Sequence, residues 1–272
     1  MTVRLAASSV VPIGSNVKSP MIVTSLAGAV EIGGTRLYVI GFAMAGGGAA
    51  RCAATSAPTA AIRPSFLLEP CLEAVFHTDA YGYRPGRSAI DAVRQARQRC
   101  WRHDWVLDID VKAYFDSIDW ERLLKAVRHH TDCPWVLLYI ERWLKAPVQM
   151  GDGSVVPRTA GTPQGGVISP LLANLFLHYA FDAWMSRTYP HIPFERYADD
   201  AICHCKSAEE ARALWSALQD RFAACKLVLH PDKTKMVYCK DANRRGDFPN
   251  QSFDFLGFSV LQRHGKEFSM NV

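Results

Sequence analysis

The hydrophobic pattern of this chain changes character near residue 65. Beyond that point apolar and polar positions recur with clear periods, and before it they do not. A short apolar run over 66–75 predicts a helix. Ser88 suits the N-cap of a helix reaching about Arg102, with Ile90, Val93 and Cys100 on one side. From Trp105 the period becomes two: Trp105, Leu107, Ile109 and Val111 face one way, Asp108 and Asp110 the other. Leu123, Leu124 and Val127 carry the core face of a helix over 120–129, and Pro134 opens another that ends near Lys145.

A hairpin is predicted over 148–156, centred on Gly151-Asp152-Gly153. Ser169-Pro170 starts a long apolar helix reaching about Arg187, and a second hairpin spans 194–205, turning at Asp199-Asp200. Ser207 and Glu210 have the spacing of a capping box for a helix to about Lys226. Short strands follow at 227–229, 235–239 and 253–260. Strands and helices in mixed order, joined by hairpins, predict an α+β fold with a small antiparallel sheet packed on helices.

Residues 1–64 hold six charged side chains, against 51 in the remaining 208. This segment is rich in Ala, Gly, Ser and Val, and 46–50 and 53–61 read as low-complexity linker, so no regular structure is expected there. The contrast also fits translation in the wrong frame upstream of a frameshift, which translating the upstream DNA in the other two frames would test.

Composition changes little in this picture. A hydrophobic content of 49% and a charged content of 21% are those of an ordinary globular protein, and a net charge of +5 is too small to argue for a nucleic-acid partner. The longest uncharged apolar stretch of the N-terminal part, 37–50, is too short to span a bilayer, and a faint signal-like run over 21–30 starts too late. None of the eight cysteines forms a C-x-x-C pair, so a zinc ribbon is not indicated, and unpaired cysteines point to a reducing, cytoplasmic setting. Strand alternation puts Cys203 and Cys205 on one face and His204 on the other, which argues against a metal cluster there.

Two places put carboxylates where an apolar core does not tolerate them: Asp110, in an apolar strand, and Asp199-Asp200, between two β-prone segments. Singly, each has a plain alternative: an ion pair of Asp110 with Lys112 or a nearby arginine, and an ordinary hairpin turn. Together, three converging carboxylates call for divalent cations between them, and hard oxygen donors suit Mg²⁺. Two such ions suit phosphoryl or nucleotidyl transfer.

Six blocks stand in order along the chain: Tyr81-Gly82-Tyr83-Arg84-Pro85-Gly86-Arg87-Ser88, Asp110-Val111-Lys112-Ala113-Tyr114-Phe115-Asp116, the run from Gly161-Thr162-Pro163-Gln164-Gly165-Gly166 to Asn174, Tyr197-Ala198-Asp199-Asp200, His230-Pro231-Asp232-Lys233-Thr234-Lys235, and Phe255-Leu256-Gly257-Phe258. Together they resemble the blocks of reverse transcriptases of the group II intron branch. The resemblance covers roughly 66–260. It implies an RNA-directed DNA polymerase domain over 65–265, with partial fingers at 65–104 and the palm at 105–265.

By that resemblance Asp110, Asp199 and Asp200 are catalytic and, with the Val111 carbonyl, hold two Mg²⁺ ions, for which Mn²⁺ can substitute. Phe115 becomes a steric gate beneath the sugar of the incoming dNTP, where a bulky ring excludes a 2′-hydroxyl; its alternative is an ordinary core phenylalanine. Tyr114, facing the other way, is expected to pack. Gln164 and Gly165 lie near the dNTP and template, and Lys233 neutralises the triphosphate; the alternatives are a flexible loop and a solvated lysine. Implied nucleic-acid contacts are Arg84, Arg87, Pro163 and the hairpin Phe255, Leu256, Gly257 beneath the primer end; Arg84 and Arg87 have a structural reading too. The implied partners are an RNA template (group II intron RNA), a DNA primer and dNTPs, with no membrane. A basic fingers segment before residue 66, a thumb, a maturase domain and an endonuclease domain are not seen in the sequence, so weak primer–template binding is expected. A truncated inactive remnant and an RNA-binding splicing (maturase) cofactor are the competing readings.

Overall fold

The structure, a computed structural model, describes residues 25–32, 35–42, 64–149, 154–163, 166–240, 244, 246–264 and 267–271. They fall into two units, one holding 25–42 and the other beginning at 64. In the first, β1 (Ser25–Ile32) and β2 (Thr35–Phe42) pair antiparallel from Ser25↔Phe42 to Ile32↔Thr35. No strand period was expected here. In sequence, two glycines separate the strands, a dipeptide that tight hairpin connections favour.

The second unit opens with α1 (Pro64–Glu73) and α2 (Ala89–Cys100). The Ser88 side chain accepts from the Asp91 amide and the Asp91 carboxylate accepts from the Ser88 amide, a complete capping box. Val93 and Cys100 are buried as expected, with Ala92 and Ala96, but Ile90 points to solvent. Next come β3 (Trp105–Ile109), the short α3 (Tyr114–Ser117), α4 (Trp120–His130) and α5 (Pro134–Lys145), the last with proline in its first turn. A two-rung hairpin, β4 (Val148–Gln149) and β5 (Val155–Val156), follows.

The long apolar helix is interrupted. It runs as α6 (Ser169–Leu177), a π-helical segment (His178–Asp182) and α7 (Ala183–Thr188). Wider π turns leave backbone carbonyls exposed; here the Arg221 guanidinium donates to the carbonyls of Tyr179 and Ala180 at 2.8 and 2.9 Å. Then come β6 (Phe194–Tyr197), β7 (Asp200–Cys205), α8 (Ala208–Ala224) and β8 (Lys235–Tyr238). Ser207 caps α8 through the Glu210 amide, while the Glu210 carboxylate accepts from Lys206 rather than from Ser207. In place of a strand at 227–229 there is a single bridge, Val111↔Leu229. β9 (Phe253–Phe255), β10 (Phe258–His264) and β11 (Glu267–Asn271) form a separate three-stranded antiparallel sheet.

The four-stranded sheet has the order β6-β7-β3-β8, with every pair antiparallel. It is covered on both faces, which is why β3 is buried at every position but Asp108. On one face Leu107, Ile109, Cys203 and Cys205 join the large core with residues of α1, α4, α5, α6 and α8. On the other, Val106, Ile202 and Val237 pack with α2 and with Phe253 and Phe255. Cys203 and Cys205 thus share a face as expected, and His204 faces away from them, its Nε2 2.5 Å from the buried Glu195 carboxylate. Cys71 is disulfide-bonded, so the expectation that every cysteine is unpaired fails there; the other described cysteines are free. No described helix is long and apolar enough to cross a membrane.

One buried ion pair joins the interrupted helix to the sheet. The Arg196 side chain, 1% exposed, donates from Nε and Nη2 to the two Asp182 carboxylate oxygens, both at 2.7 Å. Burial alone would raise Asp182, but the Arg196 charge and hydrogen bonds outweigh it and hold the carboxyl below its ordinary range. Arg196→Met should lower unfolding stability by about 3–5 kcal/mol, because it strands a buried carboxylate. The double variant Arg196→Met/Asp182→Leu should lose clearly less. Urea unfolding of the two variants and the parent checks this; a double variant no better than the single would contradict it.

Candidate active site

The two strands carrying the aspartates end side by side. The β3–β7 ladder closes at Ile109↔Ala201, so continuing it by one step sets Asp110 opposite Asp200. Asp200 is the first residue of β7 and pairs with Tyr197, so the turn itself is Ala198-Asp199, one residue earlier than expected. Ala198 takes a left-handed φ of 57°, which suits such a tight connection.

The Asp110 backbone is clamped by the 230–234 segment. His230 N–H donates to the Asp110 carbonyl at 2.8 Å, and the buried Thr234 hydroxyl bridges the Asp110 carbonyl and amide at 3.3 and 3.4 Å. The bridge Val111↔Leu229 is closed by this bond and by Lys112 N–H donating to Val228, so it leaves the carbonyl of Val111 itself unused.

The other blocks are packed against these two. Gly82 lies so close to the Ala198-Asp199 turn that a Cβ on it would stand 2.3 Å from the Ala198 nitrogen. The Gly82 carbonyl accepts from Asn174 Nδ2, and Arg196 Nη1 ties Asn174 Oδ1 and the Ala198 carbonyl together at 3.0 and 2.8 Å. Beneath Phe115, Thr162 N–H donates to the Phe115 carbonyl at 2.7 Å, and Gly161 N–H to the Ile118 carbonyl at 2.8 Å. Gly161 has φ +79°, and a Cβ there would sit 2.6 Å from the Phe115 oxygen, so only glycine fits. Tyr114 packs as expected, buried with its hydroxyl donating to the Ala173 carbonyl at 2.6 Å.

Charge accumulates at this end of the sheet. Asp199 is raised by burial and then by Asp110, and Asp200 is raised to about 6 by desolvation and then by Asp199 and Asp110. Asp108, two residues before Asp110 on the same face, is raised to about 7 by burial, with Asp200, Asp110 and Asp254 adding to it and Lys235 at 3.8 Å opposing. Strand alternation alone had put Asp108 beside Asp110, a signal sufficient to mark it. Nothing in the sequence marked Arg196, whose partner is set by the tertiary fold.

The remaining expected residues divide. Lys233 reaches the cluster, its Nζ 3.3 Å from Asp110 Oδ2. Phe115 is partly buried against the main core, its ring edge-on to Tyr114. Pro163 anchors its loop, its carbonyl accepting from Ser169 Oγ at 2.7 Å; Gln164 and Gly165 lie outside the described residues. Arg84 takes its structural reading: its guanidinium donates to Glu73 Oε1 and to the His77 and Ala80 carbonyls at 2.6–2.7 Å. Arg87 is exposed over the Tyr81 ring and lines, with Arg94 and Gln95, an open cavity of about 390 Å³. Phe255 is core, 2% exposed, and Leu256 and Gly257 make the turn beside it with φ of 55° and 81°.

A reverse transcriptase (RNA-dependent DNA polymerase) family model matches residues 65–260. The chain belongs to the reverse transcriptases. Protein YkfC of Escherichia coli (strain K12) is 28% identical over 249 residues, covering 75% of this chain and 61% of the relative. Group II intron-encoded protein LtrA of Lactococcus lactis subsp. cremoris is 33% identical over 112 residues, 41% of this chain and 18% of LtrA. The chain spans under two thirds of the length of these relatives. Telomerase from Candida tropicalis, solved with a fragment of telomeric RNA, shares the fold with a TM-score of 0.54 at 10% identity, over 74% of this chain and 36% of the telomerase.

Among the described residues no three His, Cys, Asp or Glu side chains stand close enough together to close a metal site. The donor chemistry nevertheless fits divalent cations. Asp110 helps to raise the pKa of Asp199 and of Asp200, the carboxylate oxygens are hard donors, and Lys233 is the one cation within an ion-pair distance of Asp110 among the described residues.

The raised Asp108 carboxyl has a consequence for stability. Its folded pKa lies above the unfolded value near 4, so its contribution is full below about pH 4 and is lost as pH rises through about 7. In metal-free buffer, Asp108→Asn should gain on the parent in thermal midpoint between pH 5 and 7.5. Parallel melting curves across that range would contradict this.

Proposed function

We propose that this reverse transcriptase domain extends a DNA primer on an RNA template, adding deoxynucleotides at the aspartate end of its central sheet. The observation that carries the reading is the meeting of Asp110 with Asp199 and Asp200 where β3 and β7 end together. Residues 65–104 act as partial fingers and 105–265 as the palm. Asp110, Asp199 and Asp200, with the Val111 carbonyl, would hold two Mg²⁺ ions, or Mn²⁺ in their place, supplying charge neutralisation for an in-line displacement at phosphorus. Asp110 and Asp199 are the principal pair.

The chain's own groups do the positioning. Lys233 leaves Asp110 and meets the triphosphate once the carboxylates are neutralised, acting as a mobile point charge. Phe115, its backbone strapped by Gly161 and Thr162, lies beneath the sugar and excludes a 2′-hydroxyl. In this reading Gln164 and Gly165 meet the dNTP and template. Pro163 and the hairpin of Phe255, Leu256 and Gly257 border the path of the nucleic acid, with Arg87 neutralising phosphates along it. The RNA template of this reading is group II intron RNA, and the setting is cytoplasmic.

The purified chain should extend a DNA primer on an RNA template at low salt only when Mg²⁺ is added, and Asp199→Asn should abolish extension. Absence of extension by a cooperatively folded parent overturns the polymerase reading and leaves RNA binding to be measured in its place. In the active parent, Phe115→Ala should raise ribonucleotide incorporation relative to deoxynucleotide at least tenfold. An unchanged ratio would remove Phe115 from the gate.

A further inference from the structure

Tyr83 sits beside the catalytic turn in a backbone conformation that its side chain disfavours. Its φ is +56°, in the left-handed region that bulky residues rarely enter, and the residue is 51% exposed. Both chain neighbours are pinned. Gly82 is pressed on the Ala198 nitrogen and bonded to Asn174, and Arg84 is fixed by Glu73 and by two backbone carbonyls. With 82 and 84 held on partly or fully buried partners, the left-handed turn at 83 delivers an aromatic ring to the surface. That ring stands 6.5 Å from the Tyr197 ring, and its hydroxyl is raised in pKa by burial and then by Asp199, Tyr197 and Asp200, which places it in the field of the catalytic carboxylates.

A glycine would take this backbone without strain, and the core does not need a half-exposed ring. Strain that the surroundings enforce beside a reaction centre points to use of the side chain. The flank carries positive charge at Arg87, exposed four residues on over the Tyr81 ring; the cavity it lines with Gln95 also holds Arg94, which is paired with Asp91 at 3.0 Å. We propose that Tyr83 is a stacking platform for a nucleobase of the primer–template, holding it beside the Ala198-Asp199 turn. This rests on the polymerase reading above. Stacking needs the ring and not the hydroxyl, because every base offers a π face to it.

The experiment uses the full chain and a fluorescein-labelled DNA primer annealed to an RNA template. Affinity is read by anisotropy, base stacking by 2-aminopurine opposite the primer end, and fold stability by thermal melting. Tyr83→Ala should weaken Kd about tenfold and abolish the 2-aminopurine response, while Tyr83→Phe keeps both. Tyr83→Gly should melt higher than the parent, its strain relieved, and yet bind as weakly as Tyr83→Ala. A merely structural tyrosine would give the reverse, with stability and affinity falling together in Tyr83→Gly, and that result overturns the proposal. So does a Tyr83→Ala variant that binds like an active parent. A folded parent that neither binds nor extends the substrate fails the polymerase reading, and the proposal falls with it.

Discussion

The site depends on a guanidinium that never reaches it. Arg196 lies one residue before Tyr197 and is almost fully enclosed, yet its donors meet Asp182 in the π segment, Asn174 in α6 and the carbonyl of Ala198 in the β6–β7 turn. A buried ion pair contributes little net stability, because desolvating both charges offsets their attraction. What it contributes here is position, since the hairpin cannot shift along the helix without leaving a charge unpaired. Its chain neighbour Glu195 points through the other face of the sheet, where it meets Arg99 and His204. Two consecutive residues of one short strand therefore anchor it to both layers.

That anchoring opposes an electrostatic load at the strand ends. Asp108, Asp110, Asp199 and Asp200 repel one another, and Lys235 and Lys233 neutralise only part of it. A self-complementary fold would have placed apolar or oppositely charged groups there. The stiff polar framework behind the turn is what holds these carboxylates together against their repulsion, at a cost in local stability at this end.

Much of this was legible along the chain because it depended on local spacing. The alternation of β3 separated Asp108 and Asp110 from Leu107 and Ile109, Ser88 and Ser207 announced their helices, and Pro134 marked a first turn. What escaped depended on distant partners or on one-residue shifts. Arg84 resembles a phosphate ligand in sequence, yet Glu73, eleven residues earlier, claims it. Ile90 follows the helical period but is exposed, because α2 packs through Ala92, Val93, Ala96 and Cys100. The β6–β7 turn sits one residue early because Ala198 adopts a left-handed backbone that alanine does not advertise. The hairpin at 25–42 was invisible because its Ala, Gly and Val content carries no polar alternation. Among the site residues, the aspartates and Tyr114 were readable from pattern and resemblance, while Tyr83 and Arg196 owe their importance to backbone strain and tertiary contact.

The π segment bears on how this chain should be compared with others. A π turn is what one added residue makes of an α-helix without changing where the helix ends. Removing one residue between His178 and Asp182 would close the segment to a regular α-helix and leave what lies beyond it in place, the carboxylate still on Arg196. Alignments of this region should therefore admit a one-residue gap inside a helix, a place where gaps are ordinarily forbidden.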